Sequence, residues 1–530
     1  MNISVYISKI SEYISSIITG FSAVTIFPVV TMLLLLLFFL YYIVVLPPQR
    51  GTSEWINMEV SKTRLNFFSR RHPMSVKDIA PLLIITVFFL FLAVFNLGDT
   101  NTVDILSEIE TPAESRTHMD NIYFDEVYHV RTAVEHIESI NPYEISHPPL
   151  GKEIIAASIL IFGMSPLGWR LAGAIFGVIM LVVMYIFIKN MFGKTIIATC
   201  GTLLLGFDFM RFVQTRIATI DVYAVLFILL AYFFMYRHIT TGVNTGFRRS
   251  LPPLALSGLF FGLGCAVKWI GIFAGAGLLV IYVIRLTQLG LHYRSMKKRG
   301  FGKYLTKTFL FTALFFVVVP AIVYCLSYIP YGLAAGMSFE GGMLWDIRFF
   351  QIVWDNQVTM FNYHSRDVLD ATHPFSSMWW EWIINSRPIL YVNGYMGDAR
   401  ATFGAFGNPV VWWGGFLAMI AMALRVITHR DGKALFILIG YLSQLLPWIA
   451  VTRIIFIYHY FPSTLFLVLA LSHIFNTIID RKKLNHKLVV YAYTAAAGIV
   501  FALFYPALSG MYLPEWYYSS LLKWFDIWPF

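Results

Sequence analysis

Apolar residues run along this chain in blocks of roughly twenty, the length an α-helix needs to cross a bilayer core. The blocks predict membrane-spanning helices at 22–46, 80–98, 168–189, 195–210, 219–237, 253–269, 270–286, 308–328, 409–426, 433–451, 460–477 and 488–506, about twelve in all. The first block is followed by "VVLPPQRG", which lacks a small-residue cleavage site, so it is expected to remain as an anchor helix. No internal repeat, low-complexity tract or long linker interrupts the pattern. The expected organisation is an extra anchor helix and basic loop over 1–79, then one transmembrane domain over 80–530 with outer loops 99–167 and 329–408.

Composition agrees with that reading. Charged residues make up 13% of the 530 residues and apolar ones 58%, whereas soluble chains carry about 25% charged residues. The net charge of +10 would ordinarily suggest nucleic acid. Here the basic residues sit in short loops between spans, as membrane topology requires, and nucleic-acid binding is not expected. Arg50, Lys62, Arg64, Arg70, Arg71 and Lys77 fall in one such loop; Arg237, Arg248 and Arg249, then Arg294, Lys297, Lys298, Arg299 and Lys303, then Arg481, Lys482, Lys483 and Lys487 fall in others. Alternation places all four loops on one side, the cytoplasmic one. The acidic loop that ends in Asp125 and Glu126 then faces outward. Cys200, Cys265 and Cys325 lie inside apolar segments and suggest neither disulfides nor a zinc site.

Against that background, the basic residues on the outer side need an explanation: Lys152, Arg170, Arg211, Arg216, Lys268, Arg387 and Arg453. Singly, each could snorkel to headgroups or pair with the acidic loop. As a group they suit an anion, and a phosphate would match their chemistry. In "NIYFDEVYHVRTAVEHI", Val127, Val130, Val134 and Ile137 recur at helical spacing, which predicts an amphipathic helix on the outer surface. Asp125, Tyr128 and His129 share one face of it, while Glu126 points about 100° away. A capping Asp and a solvated Glu are the alternative. "SHPPLGK" carries His147 and sets Lys152 at the start of a second short helix; "QTRIATID" brings Arg216 and Asp221 together as an ion pair or as site residues. Lys268 in "KWIG" sits between apolar flanks, where a lysine without a partner is costly. "THPFSSMWWEWIINSRP" supplies His373, Trp380 and Arg387, and "TRIIFIYHYFPS" supplies Arg453, Tyr458 and His459.

"FDEVYHV", "HPPLGK", "GWRLAGAIFG", "QTRIATID", "KWIG", "HPFSSMWWEWIINSRP" and "RIIFIYHYFP", in that order across about residues 80–515, resemble the protein O-mannosyltransferase family. The resemblance implies an all-α polytopic membrane protein with the GT-C glycosyltransferase fold, carrying amphipathic helices on its outer face. It also implies transfer of mannose from a polyprenyl (dolichyl-type) phosphate-mannose donor to Ser or Thr of secreted or membrane proteins, with inversion, on the extracytoplasmic side of a prokaryotic plasma membrane. Departures are the extra span 22–46, Met378 where the family often has Pro, Gln444 where a histidine is expected, and an outer loop too short for a β-trefoil domain.

In that chemistry a hydroxyl needs a carboxylate base and a departing phosphate needs cations. Asp125 is the expected base, with Glu126 orienting the acceptor or touching the sugar. Lys268 and Arg170 are the expected phosphate ligands, followed by Arg453 and Gln444. Candidates for the sugar and acceptor site are His147, Lys152, Arg216, Asp221, His373, Trp380, Arg387, Tyr458 and His459. No cofactor is evident beyond the lipid-linked donor, and no metal-ligand spacing is present. Two other functions remain open: a transferase of the same class acting on a lipid or glycan, and a transporter or flippase. The latter should cluster its ionisable residues near the midplane in repeated halves, which this chain does not do.

Overall fold

The computed structural model describes residues 26–40, 72–98, 122–241, 247–295, 297, 299–481 and 485–530. In chain order the helices are α1 (Ile26–Leu40), α2 (Ile79–Val94), α3 (Glu126–Glu138), α4 (Leu150–Phe162), α5 (Pro166–Phe192), α6 (Thr195–Gly206), α7 (Phe209–Gln214), α8 (Asp221–Ile239), α9 (Phe247–Val267), α10 (Ile270–Ser295) and α11 (Phe301–Ala334). They continue with α12 (Ile347–Asn362), α13 (Trp379–Ile383), α14 (Pro409–His429), α15 (Gly432–Leu445), α16 (Phe461–Asp480) and α17 (His486–Ser509). Ten helices among the described residues are long and apolar enough to cross a membrane. The protein is an integral membrane protein.

Helix starts are written locally. Ser165 accepts from the Gly168 amide ahead of Pro166, Asn408 from Val410 ahead of Pro409, and Asp431 from Lys433 and Ala434, each satisfying amides that have no partner in the first turn. The long helices show little amphipathicity because both lipid and protein interior are apolar. Their depth separates them: 83% of the apolar window is buried in Asp221–Ile239 and in Ile457–Asp480, but only 6% in Phe301–Ala334. Helices α8 and α16 are therefore central, and α11 faces lipid. Close approach requires glycine where these helices meet their neighbours: a Cβ at Gly177, for example, would stand 2.0 Å from Thr215, and one at Gly151 would stand 2.6 Å from Ile220.

One expected span changes. The block at 195–210 is not one spanning helix: α6 is 12 residues long, about 18 Å at 1.5 Å per residue. It ends where Asp208 turns the chain and caps α7 through the Arg211 amide, at 3.0 Å. Of the block at 22–46, only the 15 residues of α1 are described; the acidic segment 99–121 lies outside the described residues. The 329–408 loop contains a β-hairpin that helical periodicity does not foretell. In it β1 (Ile389–Met396) pairs antiparallel with β2 (Ala399–Ala405), with an irregularity at Leu390/Val392, and β3 (Leu513–Pro514) adds to β2. Arg400 ties this sheet to the C-terminal segment, donating to Asn393 at 2.8 Å and to the Pro529 carbonyl at 2.7 Å.

Helix alternation sorts charge between two faces. Asp125, Asp221, Lys268 and Tyr458 stand at helix ends on one face. Lys189, Arg237, Arg249, Arg294, Lys303, Arg425 and Lys433 stand at or near the ends on the other. On that second face Asp78 pairs with Lys189 at 3.0 Å and accepts from Thr195 at 2.7 Å.

Candidate active site

Asp125 and Glu126 are neighbours with opposite environments. Asp125 occupies the N-cap position of α3 without a side-chain capping bond and is half-buried, and no hydrogen bond from the described residues reaches its carboxylate. Burial raises its pKa to about 7; the Lys268 charge pulls the other way, and Asp221 and Glu144 push with burial. Glu126 is fully buried and grips Arg170 with two parallel bonds, Nε–Oε1 at 2.8 Å and Nη2–Oε2 at 2.9 Å. It also accepts from the Ala218 amide at 2.8 Å, while Arg170 donates to the Leu97 carbonyl at 2.9 Å. Glu126 and Arg170, the one expected to orient the acceptor or touch the sugar and the other to bind the phosphate, are both 0% exposed in this structure and bind each other.

Lys268 is the cation nearest the open carboxylate in effect. Its ammonium donates to both oxygens of Asp221, at 2.8 and 3.0 Å, and lies 5.5 Å from the centre of the Tyr458 ring. The expected Arg216–Asp221 pair is not formed. Arg216 is fully buried and donates to the carbonyls of Leu92, Ala93, Phe95 and Asn96 at 2.7–3.0 Å. It closes the C-terminal end of α2, where carbonyls have no helical partner and the dipole is negative. Arg453 is half-buried and donates to the Ile454 carbonyl at 3.0 Å. Gln444 is buried within α15 and reaches Ser443 at 3.4 Å rather than any of these cations.

The Pro148–Pro149 turn is held by a residue that sequence reasoning missed. Glu144 accepts from Lys152 Nζ at 2.5 Å through Oε2, and from the Ser146 amide at 2.8 Å and the Ser146 hydroxyl through Oε1; that oxygen also lies 3.0 Å from His147 Nδ1. Lys152 adds bonds to the carbonyls of Glu144 and His147 at 3.0 and 2.9 Å. With 0% exposure it braces the turn from inside the protein. The Lys152 ammonium and the His147 imidazole hold the Glu144 carboxyl well below the usual range despite its burial. Glu144 leaves His147 with its Nδ1 proton directed inward and Nε2 available as an acceptor. Burial lowers the His147 pKa, so the ring is neutral. Its ring stands between those of His129 and His364, at 6.0 and 5.5 Å. The signal was present in "NPYEISHPP", an acidic residue a turn before a histidine, but it carries no spacing that singles it out.

On the far rim, Arg387 pairs with Glu381 at 3.2 Å, and Glu381 accepts from the Met378 amide at 2.5 Å. The Arg387 charge organises this loop. Trp380 is half-buried beside it on α13, and His373 packs edge-on against Phe456 at 5.1 Å. His459 is buried, its ring 4.5 Å from Tyr458 and 4.4 Å from Trp448, and its Nδ1 accepts from the Phe456 amide at 3.0 Å. It supports Tyr458 from behind. A second missed residue, Tyr391 of β1, packs against Phe124 with ring centres 4.2 Å apart. Its position alternates with strand period, a signal hidden in a loop read only for its charged and aromatic residues. The structure thus brings together an unbonded carboxyl titrating near neutrality, a cation, an open imidazole and two phenols. That set can take a proton from a hydroxyl beside a bound anion. Among the described residues no cluster of three His, Cys, Asp or Glu could hold a metal ion.

Residues 158–330 match the family described as dolichyl-phosphate-mannose-protein mannosyltransferase, and residues 349–528 match the C-terminal four-transmembrane region of protein-O-mannosyltransferase. A polyprenol-phosphate-mannose–protein mannosyltransferase of Corynebacterium glutamicum is 25% identical, over 79% of this chain and 90% of its own length. One from Mycolicibacterium smegmatis is 28% identical, over 70% and 82%. Among solved structures, the S. cerevisiae protein O-mannosyltransferase Pmt1-Pmt2 complex bound to the sugar donor has the same fold, with a TM-score of 0.71 at 13% identity, covering 88% of this chain and 94% of that one.

Proposed function

We propose, for a chain that belongs to the protein O-mannosyltransferase family of glycosyltransferases, that it moves mannose from a polyprenyl-phosphate carrier to a serine or threonine hydroxyl of a protein, with Asp125 as the general base. The acceptor oxygen forms a bond to the anomeric carbon as the bond from that carbon to the phosphate oxygen breaks. The hydroxyl proton passes to Asp125, and the carrier leaves as its phosphate. A single displacement inverts the anomeric centre and needs one carboxylate. The observation that carries this reading is the division of labour at 125–126: one carboxyl is unbonded and titrates near 7, and its neighbour is locked to Arg170.

A base near neutrality combines a useful ionised fraction with real proton affinity. Lys268 is the leading phosphate ligand and Arg453 the second; the developing phosphate charge strengthens both contacts in the transition state. His147 offers Nε2 to a hydroxyl of the bound sugar, and Tyr458 and Trp380 supply apolar surface beside it. The concentration of basic helix ends on the opposite face supports placing the site outside the cytoplasm, in a prokaryotic plasma membrane. The test is incubation of purified protein with polyprenyl-phosphate-mannose and a Ser/Thr-rich peptide, read by mass spectrometry. A hexose added to the peptide by wild type and absent with Asp125→Asn is expected; transfer only to lipid or glycan acceptors, or an active Asp125→Asn, overturns it.

A further inference from the structure

Helix α12 presents three distinct faces. Phe349, Val353, Asn356 and Met360 fall on one side and are buried against the protein. Gln351, Asp355 and Thr359 form an exposed polar side. The third side, an arc about 80° wide, holds Ile347, Phe350, Trp354, Val358 and Phe361. All five are exposed among the described residues, Ile347 at 77% and Trp354 at 67%. A helix of 16 residues is about 24 Å long, short of a bilayer core of about 30 Å. With a polar side and an apolar side it suits a position along a membrane surface. The stripe also continues a surface that meets lipid: α11 faces lipid, and the chain runs from its end through Phe339 and Trp345, the latter 90% exposed, into α12. Tryptophan is the residue most at home where hydrocarbon meets water.

The other sides of α12 reach the site through one chain of hydrogen bonds. Trp269, next to Lys268 in the α9–α10 turn, donates from Nε1 to Tyr324 Oη at 3.1 Å. Tyr324 donates to Gln357 Oε1 at 2.7 Å, and Gln357 Nε2 donates to Tyr328 Oη at 2.9 Å. Tyr328 donates to Asn356 Oδ1 at 2.6 Å, and Asn356 Nδ2 donates to the Ile145 carbonyl at 3.1 Å. The direction is fixed at two points. Gln357 Nε2 also meets the Val353 carbonyl at 3.0 Å, and Asn356 Nδ2 meets that of Ile145; a carbonyl only accepts, so both amides are oriented. Just beyond α12, His364 Nε2 donates to the Ser146 carbonyl at 2.9 Å. One helix thus ties the Lys268 turn to the segment that leads into His147.

We propose that α12 is a membrane-seated brace: its apolar stripe rests in the lipid interface on the Asp125 side of the bilayer, and its hydrogen-bond chain holds the Lys268 turn and the proline turn at a fixed separation. The consequence for catalysis rests on Lys268 and His147 being site residues.

The full chain in phospholipid nanodiscs tests seating and bracing separately. In a background lacking Cys200, Cys265 and Cys325, a fluorophore on Trp354→Cys should be quenched by brominated phospholipid and shielded from iodide, and one on Asp355→Cys should show the reverse. Equal iodide access at both positions overturns the seating; so does shielding of Trp354→Cys from both quenchers, which would mean a protein cover. Bracing is read by hydrogen exchange of the segment from Ser146 to Lys152. Gln357→Met, which breaks the chain at its centre, should speed that exchange at least fivefold and leave α8 as in wild type. Phe350→Ser/Trp354→Ser should act in the same direction and add little to Gln357→Met, because both work through one contact network. Unchanged exchange in either variant, or faster exchange that spreads to α8, overturns the brace. In peptide mannosylation Gln357→Met should lower kcat/KM at least fivefold. Wild-type transfer by a Gln357→Met protein whose turn has loosened overturns the link to catalysis. A wild-type protein that transfers no mannose overturns the proposed function instead, and quenching and exchange still decide the brace.

Discussion

Arg170 and Glu126 lie 44 residues apart in the chain and meet in a fork of two hydrogen bonds, 2.8 and 2.9 Å long, where neither is exposed to solvent. The pair fixes the first turn of α3 against the N-terminal end of α5. Asp125 inherits its place from that contact. Removing one partner leaves an unpaired buried charge, which costs about 3–5 kcal/mol.

Glu126→Gln and Arg170→Leu should therefore each lose thermal stability and activity together. The double variant Glu126→Gln/Arg170→Leu should recover part of the stability, because the orphaned charge is gone. Thermal melts in detergent or nanodiscs, alongside donor binding, check this. A Glu126→Gln protein of wild-type stability with weakened acceptor KM would return Glu126 to a substrate-binding role.

Activity should rise with pH through about 7, where Asp125 ionises, and a base deleted by Asp125→Asn should cost about 10²–10⁴-fold in kcat. Stability has the opposite slope. The folded pKa lies above the ordinary value of about 4, so the folded protein holds this proton more tightly than the unfolded chain. That advantage is complete below pH of about 4 and is lost as pH rises toward 7. Asp125→Asn should thus melt higher than wild type at pH 8, while donor binding persists. Parallel melts at pH 5 and pH 8 measure it.

Lys268→Ala should weaken donor binding and turnover at once, because the phosphate is charged in both ground and transition states. A fall of about 10²–10³-fold in kcat/KM is expected. Lys268→Arg should recover activity only in part, since a planar fork replaces a compact ammonium. Asp221 would be left unpaired by the alanine change, so Lys268→Met/Asp221→Asn separates the two effects. Restored stability without restored donor affinity assigns the phosphate to Lys268; restored affinity moves it to Arg453.

Sidedness is testable on two exposed serines. In a background lacking Cys200, Cys265 and Cys325, Ser338→Cys on the Asp125 face should react with an impermeant thiol reagent added to intact cells. Ser295→Cys on the basic face should react only after permeabilisation. The reverse pattern would put Asp125 in the cytoplasm, where nucleotide sugars are available, and would remove the reason for a lipid-borne donor.

What the sequence determined by itself is whatever depends on near neighbours. Runs of apolar residues set the spanning helices, because a backbone in hydrocarbon must satisfy its own hydrogen bonds and does so within the segment. Lysine and arginine in the short loops sorted the two faces, and the motif order identified the family. The helix that begins beside Asp125 was legible from Val127, Val130 and Val134.

Only the tertiary structure decided which charges remain available. Asp125 and Glu126 are equivalent on paper, and Arg170, Arg216 and Lys268 all read as cations at one membrane edge. Their fates diverge because ion pairs and helix-end contacts form between distant segments: Arg170 meets Glu126, Arg216 meets the end of α2, and Lys268 meets Asp221. Burial in a low-dielectric interior commits Arg170 and Arg216, both fully enclosed, to those partners, whereas Lys268 keeps 7% of its surface exposed. The same holds for Glu144, whose role exists only once Lys152 and His147 fold back on it, and for Tyr391, which lies 177 residues from Gln214, its hydrogen-bond donor. No local pattern encodes a contact of that span.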